Sequence, residues 1–235
     1  MISVCMATYN GGKFIREQLE SILSQLPTDA EVIVADDGST DDTLAIVNSF
    51  GDGRIRVLPA EKHLGVIYNY ERALQASKGE FIFLADQDDI WFPEKAEKVL
   101  AALKDADLVI HDAWMLRPSE PSGSSWVRTG KLSDIRPYRS GVAANWWKNR
   151  YTGNCIAFRR LVLDKAFPFP KNLPMHDQWL GLVAEKFFRV SYVTEPLIEY
   201  RQHFGNATHI GRSSAGVFQK TKWRFDLARA IFLSV

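Results

Sequence analysis

Phe81 to Trp91 reads FIFLADQDDIW, and the reading of this stretch decides the fold. Its first five residues, Phe81 to Ala85, are apolar with little polar alternation, the pattern of a strand buried on both faces. The run ends in three carboxylates within four positions, Asp86, Asp88 and Asp89. Pro93 and Glu94 then open a helical pattern. Acids crowded at the end of a buried strand repel one another and lose hydration. A hard divalent cation with oxygen ligands, shared with a diphosphate, removes that penalty. The stretch therefore predicts a metal-diphosphate site at the carboxyl edge of an α/β sheet. Helix capping explains part of it more plainly: Asp88 or Asp89 can be the N-cap of the helix that Pro93 starts. Capping leaves unexplained why all three acids follow an apolar strand.

Working outward, Ile2 to Ala7 is a second apolar run, and Thr8-Tyr9-Asn10-Gly11-Gly12 turns the chain. Phe14, Ile15, Leu19, Ile22, Leu23 and Leu26 have helical spacing, and Pro27 ends that helix. Glu31 to Ala35 (EVIVA) is a buried strand that runs into Asp36-Asp37-Gly38-Ser39-Thr40. Ser39 or Thr40 can cap a helix over Thr43 to Phe50. Arg54 to Leu58 reads as a strand and Gly65 to Ala76 as a helix. Alternating strands and helices predict a parallel sheet with helices on both faces. Ligands of such sheets sit at the carboxyl ends of the strands. Three of those ends carry suitable groups here: Thr8-Tyr9-Asn10, Asp36-Asp37 and Asp86 to Asp89. Each loop alone is also ordinary turn chemistry; the coincidence of three at one edge points to a site.

The chain has 235 residues, 46% of them apolar, which suits one large α/β domain or a core with an appended element. A net charge of +1 gives no global field for nucleic acid. Cys5 and Cys155 lie in apolar contexts without metal-ligand spacing, as core residues of a reducing compartment. Met1 leads straight into ISVCMATYN with no basic segment or cleavage site, which argues against a secretory leader and for a cytoplasmic location. No run of about 18 apolar residues exists to span a bilayer.

ATYNGG (7–12), VIVADDGSTDDT (32–43) and FLADQDDIW (83–91), at this spacing, resemble the family 2 glycosyltransferases of GT-A fold. Met175-His176-Asp177-Gln178-Trp179 is similar to the acidic motif that carries that family's general base. Tyr200-Arg201-Gln202-His203 resembles the tail of bacterial O-antigen and rhamnan-type transferases. The resemblance implies a single Rossmann-like, mostly parallel sheet flanked by helices. A nucleotide-binding half (1–105) and an acceptor-binding half (106–210) would form the transferase domain, followed by a helical extension (211–235).

It also implies an activity: inverting, metal-dependent transfer of a hexose or a deoxyhexose such as rhamnose from a nucleotide-diphosphate donor. The acceptor would be a growing polysaccharide or lipid-linked glycan of the cell surface. By resemblance, Ala7, Thr8, Tyr9 and Asn10 meet the donor, with Tyr9 a stacking face for the base. Asp36 or Asp37 accepts the base imide N–H. Asp86, with Gln87 beside it, meets the ribose or a metal-bound water, and Asp88 ligates Mn²⁺ or Mg²⁺. His203 is a further ligand or a diphosphate contact, and a His ligand suits Mn²⁺ better. Asp89 is left to cap the helix.

By the same resemblance, Asp177 would be the base that takes the proton of the attacking acceptor hydroxyl. The family usually places two acids together, whereas here the first position is His176, which either positions Asp177 or contacts the acceptor. Asp177 also fits as N-cap of a helix over Gln178 to Phe187. Gly153 and Asn154 resemble a turn that borders the acceptor, and Trp179 belongs to the same group of candidates. Asp112, with His111, either lines the donor-sugar pocket or simply ends a strand over Leu108 to Ala113. The alternative from another class is a non-catalytic nucleotide-sugar-binding module of the same fold. A dinucleotide oxidoreductase is disfavoured, because no G-x-G-x-x-G follows the first strand.

Residues 117 to 150 are the least regular, with Trp126, Arg128, Lys131, Arg136, Arg139, Trp146, Trp147, Lys148 and Arg150 interleaved. They either bind the acceptor's sugar or lipid diphosphate, or form a solvated flap. In the last segment Phe218, Lys222, Phe225, Ala228 or Arg229 and Phe232 follow helical spacing. That helix either lies on the inner face of an anionic membrane or packs on the catalytic domain or a second subunit.

Overall fold

The computed structural model describes residues 1–60, 63–120, 125–203 and 216–233. Strands β1 (Ile2–Thr8), β2 (Glu31–Asp36), β3 (Ile55–Leu58) and β4 (Phe81–Asp86) pair in parallel in the order β3-β2-β1-β4. Helices α1 (Ile15–Leu23), α2 (Thr43–Ser49) and α3 (Val66–Ala76) are the crossovers. Val4, Cys5, Met6, Val32, Ile33, Val34, Phe83 and Leu84 are all fully buried, as expected of strands covered on both faces. Both cysteines are buried free thiols.

Beyond β4 the sheet becomes mixed. A two-residue strand β5 (Ile90–Trp91) and helix α4 (Lys95–Ala102) follow the acidic loop. Strand β6 (Leu108–Pro118) is longer than the apolar run 108–113, because its distal half pairs with β7 (Trp126–Lys131). Short helices α5 (Leu132–Ile135) and α6 (Val142–Trp147) lead to β8 (Ile156–Arg159), which lies antiparallel between β4 and β6. Helix α7 (Leu163–Ala166), helix α8 (His176–Phe187) and strand β9 (Val190–Arg201) complete the second half. β9 runs parallel to β6 and antiparallel to β5. The irregular 117–150 segment is thus a strand and two short helices; its residues 121–124 lie outside the described ones.

Helix α9 (Val217–Leu233) is the helix expected in the C-terminal segment, and it packs on the catalytic domain, one of the alternatives read from sequence. Its docked face is Leu227, Ala230 and Ile231, against α6 and α8. The Trp146 indole N–H donates to Arg224 O at 2.7 Å, and the Arg224 guanidinium lies 4.0 Å from the Trp147 ring centre. The stripe read from sequence faces outward, with Phe218 at 86%, Phe225 at 68% and Phe232 at 60% exposure. Periodicity located a stripe; it could not say which side the domain takes. The other extension residues, 211–215 and 234–235, lie outside the described residues. Among the described residues no helix is long and apolar enough to cross a membrane.

Helix α8 is held close to the 149–154 segment by Gly181. A Cβ there would fall 2.3 Å from the Tyr151 ring, and both residues are buried. Gly to Ala in a helix ordinarily gains about 1 kcal/mol. Here overpacking outweighs that gain, so Gly181→Ala should destabilise the fold by about 1–3 kcal/mol. Urea unfolding would report this as a lower midpoint at unchanged slope; a raised midpoint would refute the close approach.

Candidate active site

Parallel register sets the site. Ala7 lies opposite Asp86 across β1 and β4, and Thr8 opposite Asp36 across β1 and β2, so three strand ends meet on two adjacent rungs. A cavity of about 380 Å³ opens there. One wall carries Ala7, Thr8, Tyr9, Asp37, Asn69, Asp86, Gln87 and Asp88; the other carries Arg136, Asn149, Thr152, Gly153, His176, Asp177 and Tyr200. A shallower depression around Asp29 and Arg54 lies at the amino-terminal edge of the sheet, where Arg54 pairs with Asp52 at 2.7 Å.

The two adjacent aspartates after β2 differ in use. Asp36 is buried and consumed by its own loop: Oδ2 accepts from the Gly38 and Ser39 amides at 3.0 and 2.9 Å, and Oδ1 from Thr8 Oγ1 at 3.1 Å. Asp37 lines the cavity. Its oxygens accept from the Leu64 and Gly65 amides at 2.7 and 2.8 Å, with His63 Nδ1 at 3.1 Å. A carboxylate has about four lone-pair sites, so Asp37 keeps acceptor capacity toward the cavity. Neither Ser39 nor Thr40 caps α2, as sequence suggested. Asp41 accepts the Thr43 amide at 3.0 Å, while Ser39 Oγ accepts from the Asn10 amide at 2.9 Å.

Asn10 lies outside the cavity wall, and its Oδ1 accepts the Thr40 amide at 2.8 Å. Gln87 clamps the β1 and β4 ends together: its Oε1 accepts the Tyr9 amide at 2.9 Å and its Nε2 donates to Tyr9 O at 3.0 Å. Gly11 leaves room for this clamp, since a Cβ there would meet Gln87 Oε1 at 2.3 Å. Tyr9 keeps an exposed ring, 4.9 Å from that of His63.

Asp86, Asp88 and Asp89 offer oxygens within 4.8 Å of one another. Burial first, then the Asp88 charge, pushes the Asp86 carboxyl up to about 7; burial and the same neighbours also raise Asp89. Tyr70 donates to Asp86 Oδ1 at 2.6 Å. Asp89 does not cap α4, contrary to the sequence reading. It is fully buried, accepts the Arg201 amide at 3.2 Å, and binds the Asn154 side-chain amide. The α4 N-cap position is Glu94, without a side-chain cap bond.

Beneath the cluster lies Lys95, 1% exposed. Its ammonium donates to Asn154 O at 2.8 Å and sits 3.9 Å from the Trp91 ring centre. Burial lowers its pKa to about 7. His203 Nε2 stands 2.8 Å from Asp88 Oδ2. Clustered carboxylate oxygens with one imidazole nitrogen fit a divalent cation of the Mn²⁺ or Mg²⁺ type.

Across the cavity Asp177 is the second residue of α8, whose N-cap is Met175, so Asp177 is in the first turn rather than the cap. Its Oδ1 accepts the Gln178 amide at 2.7 Å and the Asn149 side-chain amide at 2.9 Å. Its Oδ2 has no protein partner among the described residues. His176 is buried, with both ring nitrogens unpartnered among the described residues, and burial lowers its pKa, keeping the ring neutral. The ring stacks on Tyr70 at 4.1 Å, and a Cβ on Gly153 would come within 2.8 Å of its Nε2. That contact explains the glycine.

Of the acceptor and donor-sugar candidates, three lie outside the cavity wall. Asp112 pins α5 by accepting the Ser133 amide at 3.0 Å and its hydroxyl at 2.6 Å. Trp179 is core, its indole donating to Ala166 O at 2.9 Å. Asn154 is fully buried behind Asp89. Sequence reading missed Asn149, Asn69, Tyr70 and Thr152 as site residues. Asn69 and Tyr70 stand out only as polar groups in the run Val66-Ile67-Tyr68-Asn69-Tyr70, and nothing in their neighbours marks Asn149 or Thr152.

Comparison with known proteins agrees with this geometry. The chain is 35% identical over 218 residues to the dTDP-rhamnosyl transferase RfbG of Shigella flexneri, covering 86% of this chain and 72% of that one. It is 34% identical over 192 residues to the UDP-Glc:alpha-D-GlcNAc-diphosphoundecaprenol beta-1,3-glucosyltransferase WfgD of Escherichia coli, covering 79% and 70%. The crystal structure of S. aureus TarS 1–349 with UDP-GlcNAc matches with a TM-score of 0.70 at 23% identity, over 89% of this chain and 61% of that one. The match to the putative glycosyltransferase EpsH of Bacillus subtilis covers 62% of that protein, and a match over 114 residues to GlyG of Streptococcus pneumoniae covers 38% of it, so the chain spans less than two thirds of these relatives. The TarS likeness bears out the GT-A fold expected from sequence. A family model described as Glycosyl transferase family 2 covers residues 3–167, well over half of the sequence, and the chain belongs to that family.

Proposed function

We propose that this protein moves a sugar from a nucleoside-diphosphate donor to a hydroxyl of a glycan or lipid-linked saccharide in cell-surface polysaccharide synthesis, inverting the anomeric carbon. The observation that carries this reading is one cavity with two chemistries. Crowded carboxylates line its donor wall, and a carboxylate with one open oxygen, Asp177, faces them. RfbG and WfgD are named for transfer from dTDP- and UDP-linked sugars. The sequence resemblance to rhamnan-type enzymes and the RfbG match favour a rhamnosyl donor.

Residues 1–105 take the nucleotide. Asp37 accepts the base N–H, Tyr9 offers its ring for stacking, and Ala7 and Thr8 close the floor. Asp36, Asn10 and Gln87 act through the loops they hold. Asp86 and Asp88, with His203, would hold a divalent cation, which when bound screens the charge on the departing diphosphate. Residues 106–210 take the acceptor. Asp177 Oδ2 accepts the proton of the acceptor hydroxyl as its oxygen bonds to the anomeric carbon and the carbon–phosphate oxygen bond breaks. Asn149 keeps Oδ1 occupied, so the free oxygen faces the cavity. His176 and Gly153 shape the sugar's place. The outward Phe218, Phe225 and Phe232, beside Lys222 and Arg229, provide a peripheral contact with the inner face of the cell membrane.

Three measurements test the reading. Asp177→Asn should lower transfer by about 10²–10⁴-fold while nucleoside-diphosphate affinity by calorimetry stays within twofold; retained transfer would rule out Asp177 as base. Chelation should abolish the thermal shift given by UDP or dTDP, and Mn²⁺ should restore it in the parent but not in Asp88→Asn.

The third is pH dependence without metal. Asp86 stays protonated in the folded chain up to about 7 but ionises near 3.8 when unfolded. The folded state therefore binds more protons across pH 5–7, and stability falls as pH rises. Asp86→Asn should flatten that decline in melting temperature, and an equally steep decline in the variant would show that Asp86 is not its source.

A further inference from the structure

The cavity wall holds one guanidinium, Arg136, among four carboxylates, Asp37, Asp86, Asp88 and Asp177. An arginine so placed would ordinarily pair with an acid. Among the described residues Arg136 forms no ion pair. Its Nη1 donates instead to the Tyr151 carbonyl at 2.7 Å and to Thr152 Oγ1 at 3.2 Å, which uses both hydrogens of that nitrogen. Its backbone is fixed as well: the Arg136 amide donates to Leu132 O at 2.8 Å, closing α5. The Tyr151 amide donates to Asn149 Oδ1 at 2.9 Å, and the same Asn149 holds Asp177. Arg136 is thus anchored to the segment that aims the proposed base.

The anchoring leaves Nε–H and Nη2 without a protein partner among the described residues. These form the edge of the guanidinium fork that receives two oxygens of one oxyanion side by side. A rigid fork that passes over four neighbouring carboxylates is placed for an anion that arrives with the ligand.

We propose that Arg136 binds a phosphate oxyanion of the substrate through its Nε and Nη2 edge, as a specificity-determining residue of the site. The inference rests on the reading of this cavity as the place of sugar transfer. Two substrates can present that oxyanion: the diphosphate of the donor, or the diphosphate of a lipid-linked acceptor.

Calorimetric titration of the full chain with Mn²⁺ tests both sources. The probes are UDP and dTDP for the donor and farnesyl diphosphate for the acceptor, with uridine and thymidine as phosphate-free controls. Arg136→Gln should weaken one diphosphate probe by about 10–100-fold and leave the nucleosides unchanged. Loss confined to UDP and dTDP assigns the donor; loss confined to farnesyl diphosphate assigns the acceptor. Arg136→Lys, which keeps the charge without the fork, should show a smaller loss of the same probe, and decides the matter if the Gln variant unfolds.

Unchanged diphosphate affinity in these variants overturns the inference while the proposed function stands. An equal loss of nucleoside and diphosphate binding also overturns it, since Arg136 would then only support the cavity wall. A parent chain that binds no diphosphate probe overturns the inference and the proposed function together.

Discussion

Mutual repulsion of three carboxylates at the end of β4 is the constraint on which the rest depends. Two unit charges 4.8 Å apart repel by roughly 3 kcal/mol at an effective dielectric of about 20. Three such pairs rival the whole net stability of a domain, about 5–15 kcal/mol. The fold does not leave them bare. Asp89 is satisfied by the Asn154 amide and the Arg201 N–H, Asp88 faces His203, and Asp86 accepts the Tyr70 hydroxyl. Lys95 adds a buried positive charge below. Each device offsets part of the repulsion. The repulsion that remains shows in the upward shifts of Asp86 and Asp89.

The opposite wall depends on Glu185. Its Oε1 accepts from the Tyr138 and Tyr151 hydroxyls, each at 2.9 Å, and its Oε2 accepts the Gly141 amide at 2.7 Å. One carboxylate on α8 thus ties down the segment that bears Arg136, Asn149 and Thr152. Gly181, one turn earlier, lets Tyr151 approach closely enough to reach it. The open oxygen of Asp177 therefore rests on packing four to eight residues away along the helix.

The donor wall was legible in the sequence because apolar runs and turn residues lie in continuous stretches. FIFLAD, EVIVAD and ISVCMAT each form a strand, and parallel register then brings their ends to adjacent rungs without further information. What local motifs could not supply was the use of each acid. Asp36 and Asp37 are adjacent and identical, yet one is spent on Gly38 and Ser39 and the other faces the cavity. Asp89 reads as a helix cap, but its partners are 65 and 112 residues away. The acceptor wall was less legible for the same reason. Asn149 matters through a bond to Asp177, 28 positions on, and nothing in its neighbours marks it. The C-terminal stripe was visible as a pattern, but spacing carries no direction, and the face that docks is Leu227, Ala230 and Ile231.

The two walls are consequently built from different materials. The donor wall is fixed by main-chain ladders, so its geometry follows from the fold and tolerates change mainly at side chains that project beyond the last rung. The acceptor wall is fixed by side-chain bonds of Glu185, Asn149, Asn145 and Arg136 with main-chain and side-chain groups of short helices and turns. Replacing such bonds can move a wall without disturbing the sheet. Proteins with the same donor wall can thus differ in the sugar hydroxyl they present to the base. The names of the matched transferases give different donors, and the family model covers residues 3–167, stopping short of α8 with Asp177 and Glu185.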